Sequence, residues 1–269
     1  MTKVYAHRGA SAYAPENTMA AFEMALEMGA DGIELDVQMS RDGHVVVIHD
    51  PTLERTTDGS GLVAQYTLAE LRRVDAGAWF DERFRGQRIP TLAEVFELVR
   101  GKALLNVELK VMPVRYPGIE EALVKLVEDT GFPVEDLIIS SFEHLSLLRV
   151  QSLEPRLAIA ALFSHYPTSF ASLPGTIMHP QWPVVDEEFM AKARAEGRTV
   201  NVWTADDPRA WERLAALGVD GIITNTPAKL IPWLNRCGFA AAGRDGGAAA
   251  WLRCCGVTAA PAPGRGVLS

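Results

Sequence analysis

Short apolar runs alternate with amphipathic stretches from the start of the chain to about residue 235, and few folds accommodate that rhythm. Runs so short and so rich in Val, Ile and Leu read as buried strands. Each intervening stretch has room for about one crossover helix, which specifies a parallel α/β architecture. We read strands near residues 3–7, 31–37, 103–109, 136–141, 157–162, 176–179, 199–204 and 219–224. Helices fall near 18–28, 91–100, 118–130, 143–152, 186–196, 207–217 and 226–235, with only a short one in the Pro/Ser-rich 163–175 connection. Eight such strands predict a closed (β/α)8 TIM-type barrel in one domain, residues 1–236, close to the ~250 residues usual for that fold.

Local signals sharpen individual elements. The first helix carries Met19, Phe22, Ala25 and Leu26 at helical spacing, with Asn17 as its expected N-cap and Gly29 as its C′ residue. After the second strand, Asp42-Gly43 between β-prone runs signals a two-residue hairpin turn. Counting back along both arms then sets Asp36 opposite His49, and period-two alternation puts Glu34, Asp36 and His49 on one face. An insertion of about residues 50–90 follows, leaving from the end of the barrel where such folds carry their sites, so it is expected to cover that mouth; a packed insertion without contact to ligand is the alternative.

Composition narrows the partners. The net charge of −8 argues against nucleic acid or an anionic membrane as the main partner, since both require a positive footprint. Residues 1–7 lack the apolar core of a signal peptide, and no apolar run nears the ~20 residues of a membrane span, so a cytoplasmic setting without stable membrane association is expected. All three cysteines, Cys237, Cys254 and Cys255, fall within residues 237–269, leaving the body of the chain without a disulfide framework or thiolate site. That Gly/Ala-rich segment has no periodicity and reads as a low-complexity, disordered tail.

The chemistry lies at the strand ends. Polar groups recur there after apolar strands: His7-Arg8, Glu34 and Asp36, His49-Asp50, Glu108 and Lys110, Ser140-Ser141, His179, Trp203-Thr204 and Thr224-Asn225. Burying so many at one end is costly without a purpose. Glu34, Asp36 and Glu108 converge from neighbouring strands, and three anions sharing a pocket call for neutralisation. Oxygen ligands suit Mg²⁺ or Ca²⁺; pairing of one carboxylate with Lys110 or Arg8, without metal, is the alternative. His7 and His49 flank the cluster, and an imidazole of ordinary pKa ~6.5 serves as base or acid near neutrality. Arg8 offers a hydrogen-bonding fork to phosphate and Lys110 a point charge.

His7-Arg8-Gly9, Ala14-Pro15-Glu16-Asn17-Thr18, Glu34-Leu35-Asp36-Val37, His49-Asp50, Leu53-Glu54-Arg55-Thr56-Thr57, Asn106-Val107-Glu108-Leu109-Lys110, Ser140-Ser141-Phe142, Trp203-Thr204 and Gly221-Ile222-Ile223-Thr224 together resemble the bacterial glycerophosphodiester phosphodiesterase family. The likeness spans residues 3–235 in order. It implies a divalent cation on Glu34, Asp36 and Glu108 (Mg²⁺ or Ca²⁺, with Mn²⁺ a third candidate), His7 and His49 as the acid–base pair, and Arg8 and Lys110 on the phosphate. It also implies hydrolysis of a small-molecule glycerophosphodiester to an alcohol and sn-glycerol 3-phosphate. Phe142, Trp203 and Trp182 are candidates for an apolar wall against the glycerol carbons or for rim packing. The sequence departs from the family pattern at Asn225, where Asp is usual, and at Ala205-Asp206, where Val-Asn is frequent; neither position is expected to carry chemistry. Two rival functions are a lysophospholipase D, which needs an apolar trough, and a silent glycerophosphodiester-binding protein, which would not need both histidines.

Overall fold

A computed structural model describes residues 1–238. Eight parallel strands close into a barrel: β1 (Lys3–His7), β2 (Gly32–Met39), β4 (Leu104–Leu109), β5 (Leu137–Ser141), β6 (Ala158–Phe163), β7 (Ile177–Pro180), β8 (Thr199–Val202) and β9 (Gly221–Thr224). β1 pairs with both β2 and β9, which completes the ring. The expected order of elements is thus observed, and the tail expected over 237–269 lies outside the described residues from 239 onward. No helix among the described residues is long and apolar enough to cross a membrane.

The outer layer comprises α1 (Met19–Glu27), α3 (Leu92–Val99), α4 (Ile119–Thr130), α5 (His144–Leu153), α6 (Glu187–Ala195), α7 (Pro208–Leu217) and α8 (Pro227–Cys237), with the short α2 (Leu68–Leu71) inside the insertion. Side chains fix their starts. Thr91 and Glu94 form a reciprocal capping box on α3, and the Asp186 and Asp207 carboxylates accept N–H groups at the starts of α6 and α7. α1 corrects one expectation: Thr18, not Asn17, is its N-cap. Asn17 adopts φ 56°, in the left-handed region that Asn tolerates better than most residues, and its side chain turns inward instead. Buried apolar faces of these helices meet the strands in one continuous core that includes Phe22, Phe96, Ile139, Phe189 and Trp211.

The hairpin formed by β2 and β3 (Val45–Val47) also departs from the sequence reading. Its connection is a three-residue loop, Arg41-Asp42-Gly43: the Ser40 N–H donates to the His44 carbonyl at 2.9 Å, and Gly43 sits at φ 85°. The Ser40 hydroxyl donates to Asp42 Oδ1 at 2.7 Å and accepts the His44 N–H at 3.0 Å, which holds this wider loop. Register therefore slides by one, pairing Val37 with Val47, and Asp36 faces Ile48 rather than His49. Beyond the hairpin the insertion packs Leu53, Val63, Leu71, Ala76 and Ile89 against Val46 and Ile48 in a core of its own. It touches the β1–α1 connection, where the Arg83 guanidinium donates to the Tyr13 carbonyl at 3.3 Å. Phe80 meets both Trp79 and Phe84 edge to face.

Candidate active site

Register alone builds the centre. β1 pairs His7 with Glu34, and β2 pairs Asp36 with Glu108 across to β4. Glu34 and Asp36 are two residues apart on one strand, so they share a face of the pleat. All three carboxylates are buried, and each offers an oxygen within 4.8 Å of the others. Two cations lean on them. Arg8 Nε lies 3.2 Å from Asp36 Oδ2, while Lys110 Nζ lies 2.8 Å from Glu108 Oε1 and 3.6 Å from Asp36 Oδ1.

The carboxylates respond unequally. Burial works against ionisation of Asp36, but Arg8, Lys110, His49 and a hydrogen bond from Asn17 together hold it well below the usual range. Burial and the Asp36 charge push Glu108 up to about 7, with Lys110 opposing. Burial and the two neighbouring carboxylates drive Glu34 well above its ordinary value. Asp36 Oδ1 is buried without a hydrogen-bond partner, although such oxygens are rarely left unpaired. An orphaned oxygen on ionised Asp36, beside two glutamates whose charge burial and Asp36 oppose, fits a hard divalent cation.

Arg8 occupies its place through backbone strain. It sits at φ 56°, and that turn brings its own N–H to Glu34 Oε2 at 3.0 Å. Gly9 follows at φ 81°, and a Cβ there would fall 2.7 Å from the Ala21 backbone, so the turn requires glycine for both conformation and space.

The two histidines are each backed by an acceptor. The His7 Nδ1–H donates to Asn225 Oδ1 at 2.7 Å, leaving Nε2 toward the cluster, 3.8 Å from Glu34 Oε2. Asn225 can present only its oxygen there. Its Nδ2 donates to Asp206 Oδ2 at 2.6 Å and its backbone N–H to Asp206 Oδ1 at 2.8 Å, and a carboxylate only accepts. Burial, then the Arg8 charge, lowers His7 to about 4, so the ring is neutral with its lone pair on Nε2.

His49 reaches the site although the hairpin register does not point it there. β3 ends at Val47, and Gln38 Nε2 donates to the carbonyls of Ile48, His49 and Asp50 at 3.3, 2.8 and 2.5 Å, holding the chain in a bend. The His49 Nδ1–H donates to Asp50 Oδ1 at 2.6 Å, and Lys110 Nζ donates to its Nε2 at 3.1 Å. Burial lowers its pKa against the pull of Asp36.

Phe142 and Trp203 meet edge to face with centroids 5.4 Å apart at the mouth, and the Trp203 indole N–H donates to the His179 carbonyl at 2.6 Å. Trp182 lies behind Trp203, its N–H donating to the Trp203 carbonyl at 2.9 Å, and packs against the core. The structure therefore brings together His7, Arg8, Glu34, Asp36, His49, Glu108 and Lys110, and places Phe142 beside Trp203 on the rim. Sequence reasoning missed four contributors. Asn17 donates to Asp36 at 2.8 Å; Asn225 and Asp206 stand behind His7; Arg55 joins Asp50 to Glu16. Asn225, expected to stand apart from the chemistry, is bonded to His7, and only its place after the last strand hinted at this.

A model of the glycerophosphoryl diester phosphodiesterase family matches residues 7–229. A glycerophosphodiester phosphodiesterase of Caldanaerobacter subterraneus subsp. tengcongensis is 46% identical over 242 residues, covering 88% of this chain and 99% of its own length. One of Bacillus altitudinis is 42% identical over 240 residues, covering 86% and 97%. Among solved structures, an Oleispira antarctica phosphodiesterase in complex with the product sn-glycerol-3-phosphate superimposes with a TM-score of 0.80 at 33% identity, covering 86% of this chain and 96% of that one.

Proposed function

The chain belongs to the glycerophosphoryl diester phosphodiesterase family, and from that premise we propose hydrolysis of sn-glycero-3-phosphodiesters to an alcohol and sn-glycerol 3-phosphate, with His7 and His49 moving the protons. Membership makes it a phosphoric diester hydrolase rather than a silent binding protein. One observation carries the finer reading: a buried triad of carboxylates flanked by two imidazoles whose Nδ1 atoms are each held by an acceptor.

Glu34, Asp36 and Glu108 would hold one divalent cation, Mg²⁺ or Ca²⁺ with Mn²⁺ as third candidate. When bound, the cation supplies Lewis-acid neutralisation of a non-bridging phosphate oxygen. Arg8 and Lys110 hold the phosphate, Arg8 steadied by Asp36 and Glu16, Lys110 by Glu108. One imidazole accepts the nucleophile's proton at Nε2; the other gives the leaving alkoxide a proton taken from solvent at its Nε2, and exchange with water resets the pair. Phe142 and Trp203 offer an apolar wall to the glycerol carbons. We assign the activity to residues 1–236 and to the cytoplasm, on small water-soluble diesters. The net charge of −8 supports this, since it repels an anionic bilayer surface.

A second reading, lysophospholipase D, draws on the exposed Phe142 (48%) and Leu145 (72%) beside the mouth. Purified protein assayed on glycerophosphocholine, glycerophosphoethanolamine and lysophosphatidylcholine, with and without chelator, decides between them. We expect both glycerophosphodiesters to turn over alike and chelator to abolish activity. kcat/KM on the lysolipid below its micelle threshold should be at least ~10-fold lower, about 1.4 kcal/mol. His7→Ala and His49→Ala should each lower kcat by ~10²–10⁴-fold. Full activity in chelator would remove the cation, near-native turnover in either variant would remove that histidine, and preference for the lysolipid would favour the second reading.

A further inference from the structure

Leu53-Glu54-Arg55-Thr56-Thr57 has no part in the reaction as described, yet it places a guanidinium beside the site. Leu53 is buried in the core of the insertion, and the Thr57 N–H and hydroxyl both bond its carbonyl, closing a tight turn around Arg55. The guanidinium spans two carboxylates. Nε and Nη2 donate to Asp50 at 2.5 and 3.1 Å, while Nη1 and Nη2 donate to Glu16 at 2.8 Å each. Each carboxylate also serves a second partner. Asp50 Oδ1 accepts the His49 Nδ1–H at 2.6 Å, and Glu16 Oε1 accepts from Arg8 Nη1 at 2.8 Å. One side chain of the insertion is thus one bond removed from both the proton-transferring His49 and the phosphate-holding Arg8.

We propose that Arg55 is a positioning residue of the reaction: it locks Asp50 behind His49 and Glu16 behind Arg8 in one frame, which makes the insertion part of the catalytic apparatus. The assignment rests on the roles of His49 and Arg8 given above. Asp50 and Glu16 carry like charge, and a planar fork between them is what lets both stand in the same small region. Lysine cannot replace it, because an ammonium is a point charge without the two parallel donor edges that grip two carboxylates. Stability is not the main return: the Arg55 side chain is 44% exposed, and ion pairs so exposed contribute little. Geometry is different, since misplacing a reacting group by about 1 Å costs up to ~10²-fold in rate.

Arg55→Lys and Arg55→Ala, made in the full chain, are compared with wild type for kcat, KM and Tm on glycerophosphocholine in saturating Mg²⁺. We expect kcat to fall ~10–100-fold and KM to rise severalfold in both, with Tm lowered by less than ~4 °C. Glu16→Gln and Asp50→Asn should act non-additively in the wild-type background, by ~3-fold or more, and additively in Arg55→Lys, where the link between them is cut. The ¹⁵N signal of His49 Nδ1 should move in Arg55→Lys, a readout independent of turnover. If His49→Ala kept full turnover the underlying mechanism would fail, whereas an unmoved His49 signal would fail this proposal alone. Near-native kcat and KM in Arg55→Lys would also overturn it, as would equal coupling in both backgrounds. So would a loss of activity that merely follows Tm and recovers on cooling.

Discussion

Replacing Glu108 by Gln should abolish activity and at the same time make the metal-free protein more tolerant of rising pH. In the unfolded chain this carboxyl releases its proton near its ordinary value of 4.5; in the folded protein, burial and Asp36 hold the proton to about 7. Between those values the folded state binds a proton that the unfolded state has lost, so stability falls as pH rises through the window. Holding a proton across that window corresponds to roughly 3 kcal/mol. Gln cannot ionise and escapes that loss. Its Oε1 can still accept from the Lys110 ammonium, so what it gives up is the carboxylate's own charge. The difference between the two proteins should therefore move by roughly 3 kcal/mol in favour of Glu108→Gln from pH 5 to pH 8, or about 6–12 °C in Tm. Thermal melts in chelator at a series of pH values measure it. Divalent cation at ~100 times its Kd should return ~2.7 kcal/mol to the wild type and little to the variant. Parallel pH curves, or an equal response to cation, would refute the assignment of Glu108 as a strained ligand.

Asn225→Leu removes the acceptor behind His7 Nδ1 and the side-chain donor to Asp206, leaving the backbone N–H in place; kcat should fall roughly 10–10²-fold with KM nearly unchanged, and an unaltered kcat would show that His7 needs no such anchor. Asp75 accepts N–H bonds from Gly77, Ala78 and Gly86, which depress its pKa to about 2, so its contribution is full above pH ~4 and is lost as pH falls toward 2. Asp75→Asn should lower Tm at pH 7 by an amount equivalent to about 1–3 kcal/mol, and an equal Tm would mean that the insertion is held by its apolar core alone.

What could be read in advance followed the range of the interactions involved. The strands and helices, and with them the ends at which His7, Glu34, Asp36 and Glu108 emerge, are written in local periodicity, and parallel pairing then fixes their register. The hairpin failed by one residue, because Asp42-Gly43 is compatible with either a two- or a three-residue loop and the choice lay with the Ser40 hydroxyl. Asn17 and Thr18 are both capping residue types, and which one caps was decided by the pull of Asp36 on the Asn17 amide. Asn225 and Arg55 were illegible for a different reason. His7 lies 218 positions from Asn225, and Glu16 lies 39 from Arg55; Asp50 is only five from Arg55, but nothing local shows that one guanidinium spans both carboxylates.

The bond between His7 and Asn225 ties the first strand of the barrel to the turn after the last. A ribosome adding ~5–20 residues per second needs on the order of 10–40 s to travel between them. From about the midpoint of that interval the carboxylates of β2 and β4 exist on the nascent chain, but the imidazole of His7 has no anchor and the ring of strands no final member. A truncated product or a stalled chain therefore lacks both the acceptor behind His7 and the strand that closes the ring. Completeness is in this sense checked by the topology: the site's outermost support forms only after nearly the entire barrel has been translated.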